Sequence, residues 1–236
     1  MTDASHPAAP VTLVTGGSTG IGAATVKRLV AAGHRVAYTG RNRERLAVAA
    51  GEIGRADLTL PIIADAGEYD AVQAAVTETV DRFGRLDHVV ANAGFAVFDG
   101  LADADPLALK DMVLTNVLGP ALLIKAALPA LKENRGRVVL VGSVAGFKNS
   151  PGNFYGVTKW AVTALAENTR MQLTEHGVGV TLIAPGRVDT PFWSEGAPDG
   201  QMLTADHIAD AIAWAIGQPD GVDINTVVVR PFGQAV

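Results

Sequence analysis

The chain has 236 residues, 48% hydrophobic and 18% charged, enough to bury one large core without a second domain. A formal net charge of -5 leaves no basic stripe for a phosphate backbone, so nucleic acid is not an expected partner. The absence of cysteine excludes disulfides, thiol catalysis and cysteine-based zinc sites.

Residues 1–10 have neither a positively charged n-region nor an apolar h-region and read as a disordered tail, with one catalytic domain over 11–236. Lys125, Lys132, glycine and proline interrupt the longer apolar stretches before membrane-spanning length. A cytoplasmic protein with no membrane partner is expected. Beyond the tail, strand-like runs at Val11–Thr15, Arg35–Thr39, Leu58–Ile63, Leu86–Ala91, Arg137–Gly142, Val178–Ala184 and Thr226–Arg230 alternate with helical periodicity. The helical stretches are Gly20–Ala32, Arg43–Ile53, Tyr69–Phe83, Leu107–Lys132, Gly152–His176 and Thr204–Ile216. This alternation, with nearly continuous apolar strands, predicts an α/β fold: one doubly wound parallel sheet of about seven strands with helices on both faces. The segment Pro185–Leu203 is long and irregular, contains Phe192 and Trp193, and reads as a lid over a site.

Directly after the first strand comes Thr15-Gly16-Gly17-Ser18-Thr19-Gly20-Ile21-Gly22, opening a helix. Glycines there permit a tight turn and close approach of the backbone to a pyrophosphate, and the helix N-terminus offers unpaired N–H groups and a favourable dipole. Further on, Tyr155 and Lys159 stand at i and i+4 on a helix, with Ser143 at the end of an apolar strand. That spacing puts phenol and ammonium on one helix face about 6 Å apart along the axis. A phenol titrates near 10 in isolation, and a neighbouring cation is expected to lower that value and make Tyr155 a proton donor and acceptor. His6, His34, His88, His176 and His207 lack metal-ligand spacing, so no metal is expected.

The glycine spacing resembles the T-G-x-x-x-G-x-G pattern of the short-chain dehydrogenase/reductase family, and further motifs follow in family order from Val11 onward. Asn92-Ala93-Gly94 is similar to the family's N-A-G element, which supports the sheet and borders the adenosine. Asn116 matches its helix asparagine, Ser143, Tyr155 and Lys159 its catalytic trio, and Pro185, Gly186, Val188 and Thr190 the element closing over the nicotinamide. The resemblance implies a Rossmann-type oxidoreductase and a homodimer or homotetramer; the long, broadly apolar helices Leu107–Lys132 and Gly152–His176 agree with such an assembly. It also implies that Lys159 binds nicotinamide-ribose hydroxyls and that Asn116 holds a water linking Lys159 to solvent. The tail Arg230-Pro231-Phe232-Gly233-Gln234 resembles the R-P-x-x-Q ending of the branch containing clavulanic acid dehydrogenase and NADP-dependent hydroxy acid dehydrogenases.

The end of the second strand points to the cofactor. An acidic residue there would bind the ribose 2′-hydroxyl of NAD, whereas the chain has Gly40 followed by Arg41 and Asn42, and a guanidinium suits the 2′-phosphate of NADP. NADP(H) is therefore the expected cofactor, with Asp65 at the adenine edge. Hydride transfer to a carbonyl carbon needs a proton donor and a polar anchor at the oxygen, roles that fit Tyr155 and Ser143. Phe95, Ala145, Phe154, Phe192 and Trp193 are the expected substrate wall, favouring an uncharged or partly apolar carbonyl or alcohol, although Lys148, Asn153 and Arg187 are suited to an anion. Alternatives are a redox-sensing NADP(H)-binding regulator without turnover and an NAD-dependent alcohol dehydrogenase of the same family. A sugar-nucleotide epimerase shares the Tyr/Lys pair but needs a longer chain.

Overall fold

The computed structural model describes residues 9–193 and 196–234; apart from Ala9 and Pro10, the expected disordered tail lies outside them. The first half alternates β1 (Val11–Val14), α1 (Gly20–Ala31), β2 (Arg35–Gly40), α2 (Arg43–Ile53), β3 (Thr59–Ile63), α3 (Tyr69–Phe83) and β4 (His88–Ala91). The second continues with α4 (Pro106–Val113), α5 (Gly119–Asn134), β5 (Arg137–Val141), α6 (Phe154–Leu173), β6 (Gly179–Pro185), β7 (Val188–Asp189), β8 (Leu203–Thr204), α7 (Ala205–Ile216) and β9 (Thr226–Val229). Seven strands form one parallel sheet in the order β3-β2-β1-β4-β5-β6-β9.

Because alternate strand residues face opposite sides, β1 feeds two cores. Leu13 packs with Val72, Leu123 and Val162 of α3, α5 and α6, and Val14 with Val26, Leu46 and Ile212 of α1, α2 and α7. Strand order reverses at β1, which has β2 on one side and β4 on the other. Connections leaving the carboxyl ends of β1 and β4 run to opposite faces and open a crevice between them.

Three elements depart from the sequence reading. The single expected helix over Leu107–Lys132 is α4 and α5 joined by a π-turn, Leu114–Leu118. Pro120 has no N–H, so the ordinary bond to the Asn116 carbonyl cannot form, and Gly119 N–H reaches back to Leu114 O. The helix expected from Gly152 begins at Phe154, since Gly152 has φ +69° and Asn153 caps the first turn by accepting from Gly156 N at 3.0 Å. The irregular segment after β6 holds the short parallel pair β7 and β8, joined as Val188↔Leu203 and Asp189↔Thr204.

A polar cluster closes the opposite, amino-terminal end of the sheet. Asp87 accepts Val11 N–H at 2.8 Å and the Arg85 guanidinium at 2.9 and 3.0 Å. His34 Nδ1 lies 3.0 Å from Thr12 Oγ1, and its ring is 5.7 Å from that of His88. His88 Nδ1 is buried with no partner, and burial pushes its pKa down from 6.5 to about 3. Between those values the unfolded chain binds the extra proton, so stability falls as pH falls, by up to about 1.4 kcal/mol per pH unit. Urea unfolding at about pH 6.5 and 4.5 should show His88→Leu losing about 2 to 3 kcal/mol less than wild type. Equal losses would show that His88 does not take up the proton.

Candidate active site

The loop after β1 is held by side chains from across the crevice. Asn92 Nδ2 donates to the carbonyls of Thr15 and Gly16 at 3.0 and 3.1 Å, while Thr15 Oγ1 accepts from Asn92 N and Ala93 N at 3.1 and 3.2 Å. Gly16 and Gly20 have φ of +65° and +53°, a conformation that suits glycine. A Cβ at Gly22 would fall 2.1 Å from the Gly16 carbonyl oxygen, so the first turn of α1 rests on the loop backbone. Thr19 makes no side-chain cap and the first turn has no acidic residue. The N–H groups at the start of α1 therefore suit an anion such as a pyrophosphate, and Ser18, Thr19, Gly20 and Ile21 line the cleft there.

At the end of β2, a Cβ at Gly40 would lie 3.0 Å from Ser18 Oγ, so this strand end abuts the glycine loop. Arg41 is 62% exposed, with its guanidinium 3.7 Å from Asp65 Oδ2, and Asp65 Oδ1 accepts Gly67 N–H at 2.9 Å. So exposed an ion pair is worth little, which leaves Arg41 available to a stronger anion. Asn42 caps α2, accepting from Arg45 N at 2.9 Å, so its side-chain oxygen already has a structural partner.

Ser143, Tyr155 and Lys159 come together from the end of β5 and the first turns of α6, beside Gly94, and all four line the cleft. Ser143 Oγ accepts from Ala145 N at 3.1 Å and starts a 3-10 turn. Lys159 Nζ donates to Val141 O at 2.9 Å and lies 5.6 Å from the centre of the Tyr155 ring. Burial pushes the Tyr155 phenol up to about 12, with the Ser143 hydroxyl acting against it, and pushes Lys159 down to about 8. The expected drop in the phenol pKa is therefore not a property of the protein alone, because desolvation disfavours both charged forms.

Asn116 is 1% exposed and its amide is fully engaged. Oδ1 accepts Phe95 N–H at 3.0 Å, while Nδ2 donates to Phe95 O at 2.8 Å and Thr158 Oγ1 at 3.1 Å. The side chain clamps the segment after β4 to α6, and it is the Asn116 main-chain carbonyl, facing Pro120 along the helix, that lacks its usual donor.

The cleft holds about 860 Å³. Thr190 and Pro191 cross to the glycine loop, where a Cβ at Gly20 would meet Thr190 Cβ at 3.2 Å. Trp193 Nε1 donates to Val188 O at 2.9 Å. The Phe192 ring lies 5.5 Å from that of Tyr155, and Phe98 stacks on Trp193 at 5.5 Å and 13°. Pro185, Gly186, Phe95 and Ala145 also line the cleft, whereas Phe154, Gly22 and Asn116 are set back from its wall. Phe98 was not among the expected wall residues; the only signal for it is the apolar run Phe95–Phe98 after the N-A-G element. Ser194 and Glu195 of the expected lid lie outside the described residues.

Replacing Asn116 with Ala orphans the Phe95 N–H and carbonyl, and urea unfolding should register a loss of about 1 to 3 kcal/mol. A change under about 0.5 kcal/mol would contradict the clamp.

Known proteins are similar to this chain in sequence and in fold. The family model for short chain dehydrogenase matches residues 10–200. Serine 3-dehydrogenase of Agrobacterium fabrum is 37% identical, covering 94% of each chain. An uncharacterized oxidoreductase of Staphylococcus epidermidis is 36% identical over 94% of this chain and 96% of its own. Among solved structures, an alcohol dehydrogenase from Thermococcus sibiricus complexed with 5-hydroxy-NADP superposes with a TM-score of 0.89 at 28% identity, covering 96% of this chain and 98% of that one. A 3-ketoacyl-(acyl-carrier-protein) reductase from Brucella melitensis complexed with NADH gives 0.87 at 26%, covering 94% and 96%. The chain thus belongs to the short-chain dehydrogenase/reductase family and is an oxidoreductase acting on alcohol or carbonyl groups.

Proposed function

We propose that the protein is an NADP(H)-dependent reductase or dehydrogenase for a small carbonyl or secondary alcohol, with Tyr155 as its general acid and base. The observation that carries this reading is placement: Tyr155 shares with Ser143 and Lys159 the cleft that also holds the glycine loop, with Lys159 Nζ 5.6 Å from the centre of the Tyr155 ring. When bound, the nicotinamide supplies or accepts hydride. As a carbonyl carbon gains hydride, its π electrons move to oxygen and the Tyr155 O–H bond breaks to protonate that oxygen, giving the alcohol. Ser143 holds the same oxygen in place, and Lys159 stabilises the phenolate until it regains a proton from solvent. Oxidation runs these steps backward, with Tyr155 as base.

The aromatic wall formed by Phe98, Phe192 and Trp193 favours an uncharged or partly apolar substrate. The NADP(H) preference rests on Arg41 and on the lack of a carboxylate at Gly40. A cytoplasmic homodimer or homotetramer completes the reading, its assembly supported by exposed Val157 and Trp160 on α6 and Phe147 beside it, which are 57%, 43% and 38% accessible.

Steady-state oxidation of NADPH and NADH over a panel of ketones and aldehydes tests this reading. Wild type should prefer NADPH, and Arg41→Ala should lower kcat/KM for NADPH on the order of tenfold while leaving NADH unchanged, the worth of one charged hydrogen bond at an exposed site. An identical coenzyme ratio in both proteins would contradict the assignment.

A further inference from the structure

Arg187, the first residue after the Pro185–Gly186 turn, is bound from three directions. Its backbone N–H donates to Gln234 Oε1 at 2.9 Å, its carbonyl accepts Leu203 N–H at 2.9 Å, and its Nη1 donates to Asp199 O at 2.8 Å. One residue thus joins the C-terminal tail, β8 and the body of the lid. The tail is shaped to reach it. Gly186 N–H donates to Val229 O at 2.7 Å, extending the pairing of β6 with β9, and Gln234 N–H donates to Pro231 O at 3.3 Å, folding the tail back. A Cβ at Gly186 would lie 2.3 Å from Gln234 Oε1 and 3.1 Å from Arg230 Cγ, so the tail lies directly on this turn.

The orientation of the Gln234 amide follows from chemistry. A backbone N–H can only donate, so the oxygen must face Arg187. Val188, next in the chain, holds the Trp193 indole, and Phe192 touches the Tyr155 ring. Displacement of Arg187 would therefore pass along two residues of chain to the aromatic wall over the phenol.

We infer that Gln234 is a positioning residue: its amide oxygen latches the Pro185–Gly186–Arg187 turn, and the C-terminal tail thereby sets how firmly the lid is held over the cleft. The effect on coenzyme binding rests on the proposed function; the effect on the lid does not.

The test uses the full chain. Gln234→Met removes the acceptor, and loss of one hydrogen bond should speed trypsin cleavage after Arg187 in the protein alone by roughly fivefold. KM for NADPH should rise by a similar factor, with kcat within about twofold. Gln234→Glu keeps an acceptor oxygen at the same reach and should restore both values toward wild type. On a Gly186→Ala background, whose methyl already displaces the amide oxygen, Gln234→Met should add no further acceleration. The latch is overturned by an unchanged cleavage rate in Gln234→Met, by Gln234→Glu cleaving as fast as Gln234→Met, or by an equal acceleration at Arg82 in α3, which would indicate general destabilisation. Faster cleavage after Arg187 without NADPH turnover in any form would uphold the latch and sink the proposed activity instead.

Discussion

The Asn92 side chain bridges the crevice opened by the reversal of strand order, and the geometry of the site is built outward from that contact. Its amide ties the loop after β4 to the carbonyls of Thr15 and Gly16 after β1. The connections that leave the carboxyl ends of these paired strands run to opposite faces of the sheet, and the amide satisfies two main-chain acceptors in the loop beyond the ladder. The start of α1 can then rest against the loop with its N–H groups uncapped. On the opposite wall, Asn116 performs the same service for Phe95 and Thr158, holding α6 and its Tyr155 against the segment that follows β4. Two amides, Asn116 buried and Asn92 partly buried, thus fix the glycine-loop end and the Tyr155 end of one cleft relative to the sheet.

Burial decides the electrostatics of that cleft. Tyr155 and Lys159 are shifted in opposite directions, one to about 12 and the other to about 8, because desolvation penalises phenolate and ammonium alike. Near neutral pH the phenol is therefore protonated, as an unshifted phenol also is. Lys159 donates to Val141 O, which anchors its ammonium near the phenol without a carboxylate partner among the described residues. A charge developing on the phenol in this low-dielectric setting would feel that ammonium strongly.

Much of this was legible in the sequence because periodicity and glycine placement report backbone geometry directly. The strands of the main sheet and the glycine loop fall within a few residues of their expected positions. The π-turn at Leu114–Leu118 was not legible, since apolar spacing continues through it and only the missing N–H of Pro120 marks it. The burial that pushes the Tyr155 phenol up in the protein alone was not legible, because an i, i+4 pair in a sequence carries no measure of burial. The partners of the Asn116 side chain lie 21 and 42 positions away, a separation that local pattern cannot see. The tail around Gln234 was visible only as a resemblance, its contact with Arg187 being set by the pairing of β9 with β6.

The central claim is that Tyr155 supplies the transferable proton within a dinucleotide-binding cleft, and Tyr155→Phe tests it most directly. The substitution removes one oxygen and leaves the ring against Phe192 and the glycine loop untouched. Measured together, kcat for carbonyl reduction and the Kd for NADPH should separate, with turnover falling about 100-fold or more and affinity changing by less than about threefold. A Phe variant that turns over at the wild-type rate would contradict the account.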